Sequence, residues 1–179
     1  MVSNVAMTLR TGVVAVVFLL VSHSQSGHAT PLDGDQAADF GFRFQVGDCL
    51  TETFDTFTGA FTKDVGGYPA RIVTAHISLT DAQMGTIYQT IEKIGFFDYP
   101  SRFVGVAEGL RMLTESGPAR TYQLEVRNGG VVHAVSWNDA FKPTTEEADR
   151  LRTFFSMITG FIHAHPDFKR LPRPVASCE

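Results

Sequence analysis

Apolar residues recur along this chain with two periods. In "FGFRFQV", Phe40, Phe42, Phe44 and Val46 fall at every second position, the alternation of a strand with one face against a core. "TETFDTFTGAF" is rich in Thr and Phe and reads as a second strand, interrupted by Gly59 at a bulge. Gly66-Gly67 make a turn, and "ARIVTAHISL" then sets Val73, Ala75, Ile77 and Leu79 against Arg71, Thr74 and His76 as a third strand.

At Thr80 the period changes. Thr80 and Gln83 fit a capping box, in which each side chain satisfies the other residue's free backbone N–H. Met84, Ile87, Tyr88, Ile91 and Ile94 fall three or four apart and share one helical face. Gly95 stops the helix, and Phe96, Phe97 and Tyr99 fold back under its end. Residues 100–118 carry no regular pattern.

"TYQLEVRNGGVVHAVSWND" (121–139) returns to alternation around Asn128-Gly129-Gly130. A two-residue loop at Asn128-Gly129 pairs Leu124 with His133, and a loop at Gly129-Gly130 shifts the partners by two. Both registers place Tyr122, Leu124 and Val126 on one face with Val131, His133, Val135 and Trp137, and leave the other face mostly polar. A second helix follows, opened by Pro143 and a Thr144–Glu147 capping box. Its apolar stripe is Leu151, Phe154, Phe155, Ile158, Phe161 and Ile162, and it ends before Pro166. The tail "PDFKRLPRPVASCE" reads as extended.

The order β-β-β-α-β-β-α predicts an α+β domain: an antiparallel sheet of about four to five strands with both helices on one face. A strand such as "FGFRFQV" at the sheet edge would allow a partner to add a strand.

The N-terminus changes the expected compartment. Arg10 precedes the uncharged apolar run "TGVVAVVFLLV", and the small polar stretch after it places Gly27 and Ala29 before a cleavage point. That is the order of a secretory signal peptide, and the apolar run is shorter than the roughly 20 residues of a spanning helix. The expected organisation is a signal peptide at 1–29, a polar leader at 30–39, one domain at 40–165 and an extended tail at 166–179. The expected location is secreted or periplasmic, without a stable membrane anchor after cleavage; a retained anchor is the alternative. The formal charge is −4, and losing Arg10 makes it one unit more negative. Such a chain is a poor polyanion binder, so nucleic acid is set aside.

Export also bears on the cysteines. Cys49 and Cys178 are the two in the chain, and an even count in an exported protein points to a disulfide. Closing a loop of roughly 100 residues is worth up to ~4.7 kcal/mol in the chain-entropy model. Two free thiols are the other possibility.

Chemistry is sparse. The mature part has no phosphate loop, no H-E-x-x-H helix, no G-x-S-x-G elbow and no C-x-x-C. His163 and His165 at a helix end, with Asp167 near, are candidate metal ligands, but a site needs three or four. Histidines there also complement the helix dipole. Glu146 and Glu147 in a first helical turn are explained by the same dipole. Trp137, Asp139 and Phe141 at the far end of the hairpin are candidate contact residues, although Trp137 also has the parity of a core residue. No cofactor is implied.

"GDCL" followed by "NGGVVHAV" resembles the Asp-Cys and Asn-Gly…His-Ala stretches of secreted papain-like cell-wall peptidases. That resemblance implies a thiol hydrolase using Cys49 and His133. The small Ser-Gly of that family is Leu50-Thr51 here, and a disulfide at Cys49 excludes the role. "ISLTDAQMGTIYQTIEKIGFFDYPSRF", followed by a hairpin and a last amphipathic helix, resembles small secreted bacterial α+β domains of unknown function. The same order is similar to proteinaceous inhibitors of thermolysin-type metalloproteases. An exported, compact α+β chain with no recognisable catalytic constellation makes a non-catalytic binding module the leading expectation, its partner an extracytoplasmic protein such as a protease, as the inhibitor resemblance implies. The alternatives are the thiol hydrolase and a structural, envelope-associated domain.

Overall fold

The structure, a computed structural model, describes residues 39–106, 114–115, 119–142 and 144–175. The expected signal peptide at 1–29, all of the expected polar leader but residue 39, and Cys178 lie outside the described residues. The elements are β1 (Gly41–Gly47), β2 (Thr51–Asp55), β3 (Ala60–Asp64), β4 (Ile72–His76), α1 (Asp81–Ile94), a 3-10 turn (Phe96–Asp98), β5 (Arg102–Phe103), β6 (Thr114–Glu115), β7 (Thr121–Asn128), β8 (Val131–Asn138), β9 (Phe141–Lys142), α2 (Glu146–Ala164) and α3 (Pro166–Lys169).

The α+β class is as expected, but the sheet is larger than the four to five strands read from the sequence. Seven strands run in the order β4-β3-β2-β1-β7-β8-β5, and β6 and β9 form a separate pair. Neighbours in the large sheet are antiparallel except β5, which lies parallel to β8.

One added strand comes from splitting "TETFDTFTGAF". Phe54 and Phe61 both face the core and are cross-strand partners. They are an odd number of residues apart, so one continuous strand would send them to opposite faces. A turn resolves this. The Asp55 carboxylate accepts the Phe57 N–H at 2.9 Å, the Thr58 hydroxyl accepts the Ala60 N–H at 3.2 Å, and Gly59 is the turn itself rather than a bulge. The other addition, β5, is two residues long and is held where the Ser136 N–H donates to the Ser101 carbonyl at 2.8 Å. "FGFRFQV" is not an edge. As β1 it lies between β2 and β7, and the sheet ends at β4 and β5.

The β7–β8 hairpin takes the second register, with Leu124 opposite Val135 and Asn128 opposite Val131. Gly129 and Gly130 both have positive φ, 55° and 80°, as a primed two-residue turn requires.

Both helices cover one face of the sheet. Phe42, Phe44, Phe54, Phe61, Leu124 and Val126 from the strands form one buried cluster with Ile87, Ile91, Phe154, Phe155 and Ile158 from α1 and α2. The Thr80–Gln83 capping box is complete, and Gly95 closes α1 in the left-handed conformation. The α2 cap lies one residue later than read. Thr145, not Thr144, accepts the Ala148 N–H, at 3.2 Å, while the Thr144 hydroxyl donates to Asp149. The tail is not extended throughout. Pro166–Lys169 forms one helical turn because proline suits a first helical position and His165 caps it. Beyond it the Val175 N–H donates to the Val65 carbonyl at 2.8 Å.

Candidate functional site

With the helices on one face, the opposite face of the sheet is open to solvent. The register aligns one stripe across it. Thr74 lies opposite Thr62, Thr62 opposite Thr53, Thr53 opposite Gln45, Gln45 opposite Gln123, Gln123 opposite Ser136 and Ser136 opposite Arg102. Six of these seven side chains are uncharged hydrogen-bonding groups about 4.8 Å apart across the strands. None of the seven is buried.

Charges flank the stripe and are paired within the face. Arg43 bonds Asp55 through Nη2 at 2.8 Å and Nε at 3.2 Å. Burial works against the Asp55 carboxylate, but the Arg43 bond, the Phe57 N–H and the Arg43 charge outweigh it and hold its pKa below the ordinary value. Arg127 bonds Glu125 at 2.9 Å and lies over the Phe57 ring at 4.8 Å. A groove of about 360 Å³ crosses the stripe, lined by Arg43, Gln45, Ser101, Gln123, Glu125 and Ser136 among others. The face offers hydroxyl, amide and paired ionic groups in a shallow surface, which suits recognition of a polar partner.

The residues singled out from sequence lie elsewhere. Cys49 is exposed in the β1–β2 turn. His133 is level with Val126 and Phe42 at the far end of the same strands. Five residues of strand and two strand spacings separate them, roughly 20 Å, so the structure does not bring thiol and imidazole together. His133 Nε2 donates to the Tyr99 carbonyl at 2.9 Å and its ring packs on Phe96 and Phe97. That bond fixes the tautomer, because a carbonyl only accepts.

Trp137 is 2% exposed. It stacks on Tyr122 at 5.8 Å, meets Phe103 edge-on, and carries the Arg152 guanidinium 5.0 Å from its ring centre. It occupies the core position that its parity allowed. Asp139 accepts the Arg120 N–H at 3.0 Å and pairs with Arg152 at 3.4 Å. Phe141 falls in β9, and its side chain lies outside the described residues.

His163 and His165 serve different partners. His163 Nε2 lies 2.6 Å from Glu52 Oε2, and its ring stacks on Phe168 at 4.1 Å. Lys63 bonds the other Glu52 oxygen at 2.9 Å and lies over the same Phe168 ring. Burial pushes the Glu52 carboxyl up, but the bonds and charges of His163 and Lys63 outweigh it and leave its pKa lowered. His165 Nδ1 instead accepts the Asp167 N–H at 3.2 Å. Among the described residues, no group of three or more His, Cys, Asp or Glu side chains converges as a metal site would require.

No family model matches the chain, and no curated protein is significantly similar to it. The geometry of the open face therefore carries the functional reading. Sequence reasoning passed over Thr53, Thr62, Thr74, Gln45, Gln123 and Ser136. Each is an ordinary polar position of its own strand, and only the cross-strand register makes them a stripe.

Proposed function

We propose that this chain is an exported, non-catalytic binding module, and that its open sheet face is the contact surface. The observation that carries the reading is the solvent-facing stripe from Thr74 to Ser136 with its groove, made of neutral hydrogen-bonding groups and flanked by the Arg43–Asp55 and Arg127–Glu125 pairs. Such a surface recognises a partner through many neutral hydrogen bonds rather than one charge. An extracytoplasmic protein fits it, and a protease is one concrete candidate, in keeping with the resemblance to metalloprotease inhibitors.

The proposal includes removal of residues 1–29 on export and a Cys49–Cys178 bond. The Val175–Val65 hydrogen bond brings the tail to the sheet end where β2 begins and β3 finishes, the end that carries the Cys49 turn. Three residues reach about 10 Å and adjacent strands lie about 4.8 Å apart, so Cys178 is within range. A mass increase on alkylation only after reduction is the expected result.

The functional test is capture by residues 30–179 from the chain's own extracytoplasmic extract, compared with Gln123→Lys and Ser136→Lys variants. A stoichiometric partner lost in both variants supports the reading, and inhibition of that partner, if it is a protease, completes it. A partner retained equally by both variants removes the open face as its surface. No partner above background counts against a protein-binding role.

A further inference from the structure

The geometry points to β4 as a self-association edge: we propose that two copies of this chain join their sheets by antiparallel pairing of β4 with β4. In the β3–β4 ladder the Val65 N–H donates to the Arg71 carbonyl at 3.0 Å and the Ile77 N–H to the Gly59 carbonyl at 2.8 Å. Antiparallel strands alternate the direction of their backbone groups. Residues 71, 73, 75 and 77 therefore face β3, and Ile72, Thr74 and His76 project N–H and C=O away from the sheet. Among the described residues, none bonds these outward groups.

This edge lacks the devices that keep edges apart. Ile72–His76 contains no proline, no lysine and no acidic residue, and its register with β3 runs unbroken without a bulge. Ile72 is 59% exposed. The strand is also self-matching. A twofold axis at Thr74 sets Thr74 opposite Thr74 of the second copy and Ile72 opposite its His76, with about six backbone hydrogen bonds closed across the pair. The Thr53–Thr62–Thr74 row then continues into Thr74–Thr62–Thr53 of the second copy, and threonines directly opposite are a favourable cross-strand pair. The strand has no formal charge with which to select an acidic or basic peptide, so a second copy is the occupant that its own pattern matches best.

Two five-residue strands bury less than a standard interface of about 1,200–2,000 Å², so the dimer is weak and concentration-dependent. Sedimentation velocity of the purified chain over a concentration series up to about 1 mM is expected to show a monomer–dimer equilibrium. Thr74→Lys and Thr74→Asp each place like charges directly opposite across the axis, and each is expected to stay monomeric at every concentration. Mixed one to one, they are expected to restore a dimer. Thr74→Pro removes only an outward N–H, as an edge position tolerates, and is also expected to be monomeric. Unchanged Trp137 emission and circular dichroism establish that each variant is folded. A wild-type chain that remains monomeric throughout overturns the proposal. So do Thr74 variants that dimerise as the wild type does, or a mixture that fails to pair.

Discussion

Replacing Phe155 with alanine removes the ring at the centre of the aromatic core. Phe155 is fully buried. Its ring lies 4.8 Å from Tyr122, 5.5 Å from Phe44, 6.0 Å from Phe154 and 6.4 Å from Trp137. It therefore joins α2 to β1, β7 and β8 at once. Truncating a buried Phe costs about 3–5 kcal/mol, combining lost transfer energy with a residual cavity. The upper half of that range applies here, because the neighbours are rings fixed by strands and cannot collapse into the space. The lost aromatic pairs, each worth roughly 0.5–1.5 kcal/mol beyond area burial, are contained in that figure and are a second reason for its upper half. At about 2–4 °C per kcal/mol for a chain of this size, the upper half of that range lowers Tm by roughly 8–20 °C. The assay is urea unfolding followed by tryptophan emission and by circular dichroism. Trp137 is the single tryptophan, so the emission reports this core directly. An unchanged m value with a lower midpoint is the expected form of the result. A loss below about 1.5 kcal/mol would refute the reasoning, since it would mean that the ring cluster is not the rigid centre of the fold.

Three other perturbations follow from geometry. Glu52 has a lowered pKa, so its contribution to stability is complete above the ordinary value near 4.5 and is lost as pH falls through the lowered one; Glu52→Gln is expected to be less stable than wild type at pH 7, with the gap narrowing only below the ordinary carboxylate value, read from denaturant midpoints. Thr145→Ala is expected to cost about 1 kcal/mol as the true α2 cap, whereas Thr144→Ala, which loses an exposed bond to Asp149, costs no more than about 0.5 kcal/mol; equal losses would contradict the cap assignment. Gly105 has φ +69°, and a Cβ there would lie 2.9 Å from Trp137 Nε1 and 3.1 Å from the Ala148 Cβ, so Gly105→Ala is expected to cost at least about 1 kcal/mol and to shift Trp137 emission, while an unaltered spectrum would count against the packing described.

Much of the helix layer was legible in the sequence because its signals are local. Thr80 with Gln83, the Ile87–Ile91 spacing and Gly95 each act within a few residues, and all take the places read for them. The sheet was harder because its order depends on residues far apart. "FGFRFQV" carries the same alternation whether it is central or at an edge, and only its pairing with both β2 and β7 decides. The Asp55–Gly59 turn was hidden because Thr and Phe continue through it, yet the parity of Phe54 and Phe61 held the clue. The candidate site suffered most. Chemically distinctive residues such as Cys49, His133 and His163 drew attention, while the open face is built of threonines and glutamines that gain meaning only in register.

The central seam of the sheet bears on how the chain reaches this structure. β2, β3 and β4 each pair with the strand just before them in sequence, and β8 pairs with β7 across a two-residue turn. β1 and β7 are different. Phe44 meets Leu124, about 80 residues further along the chain, and such a closure carries an entropy cost that grows with the logarithm of loop length. The meander β1–β4 and the hairpin β7–β8 can each form from near neighbours, but the continuous sheet on which α1 and α2 pack exists only once the seam closes. The seam is a contact of large sequence separation, the kind that slows the folding of small domains. α2 lies across the seam, with Phe155 against Phe44 of β1 and Tyr122 of β7, so closing the seam also completes the seat of that helix.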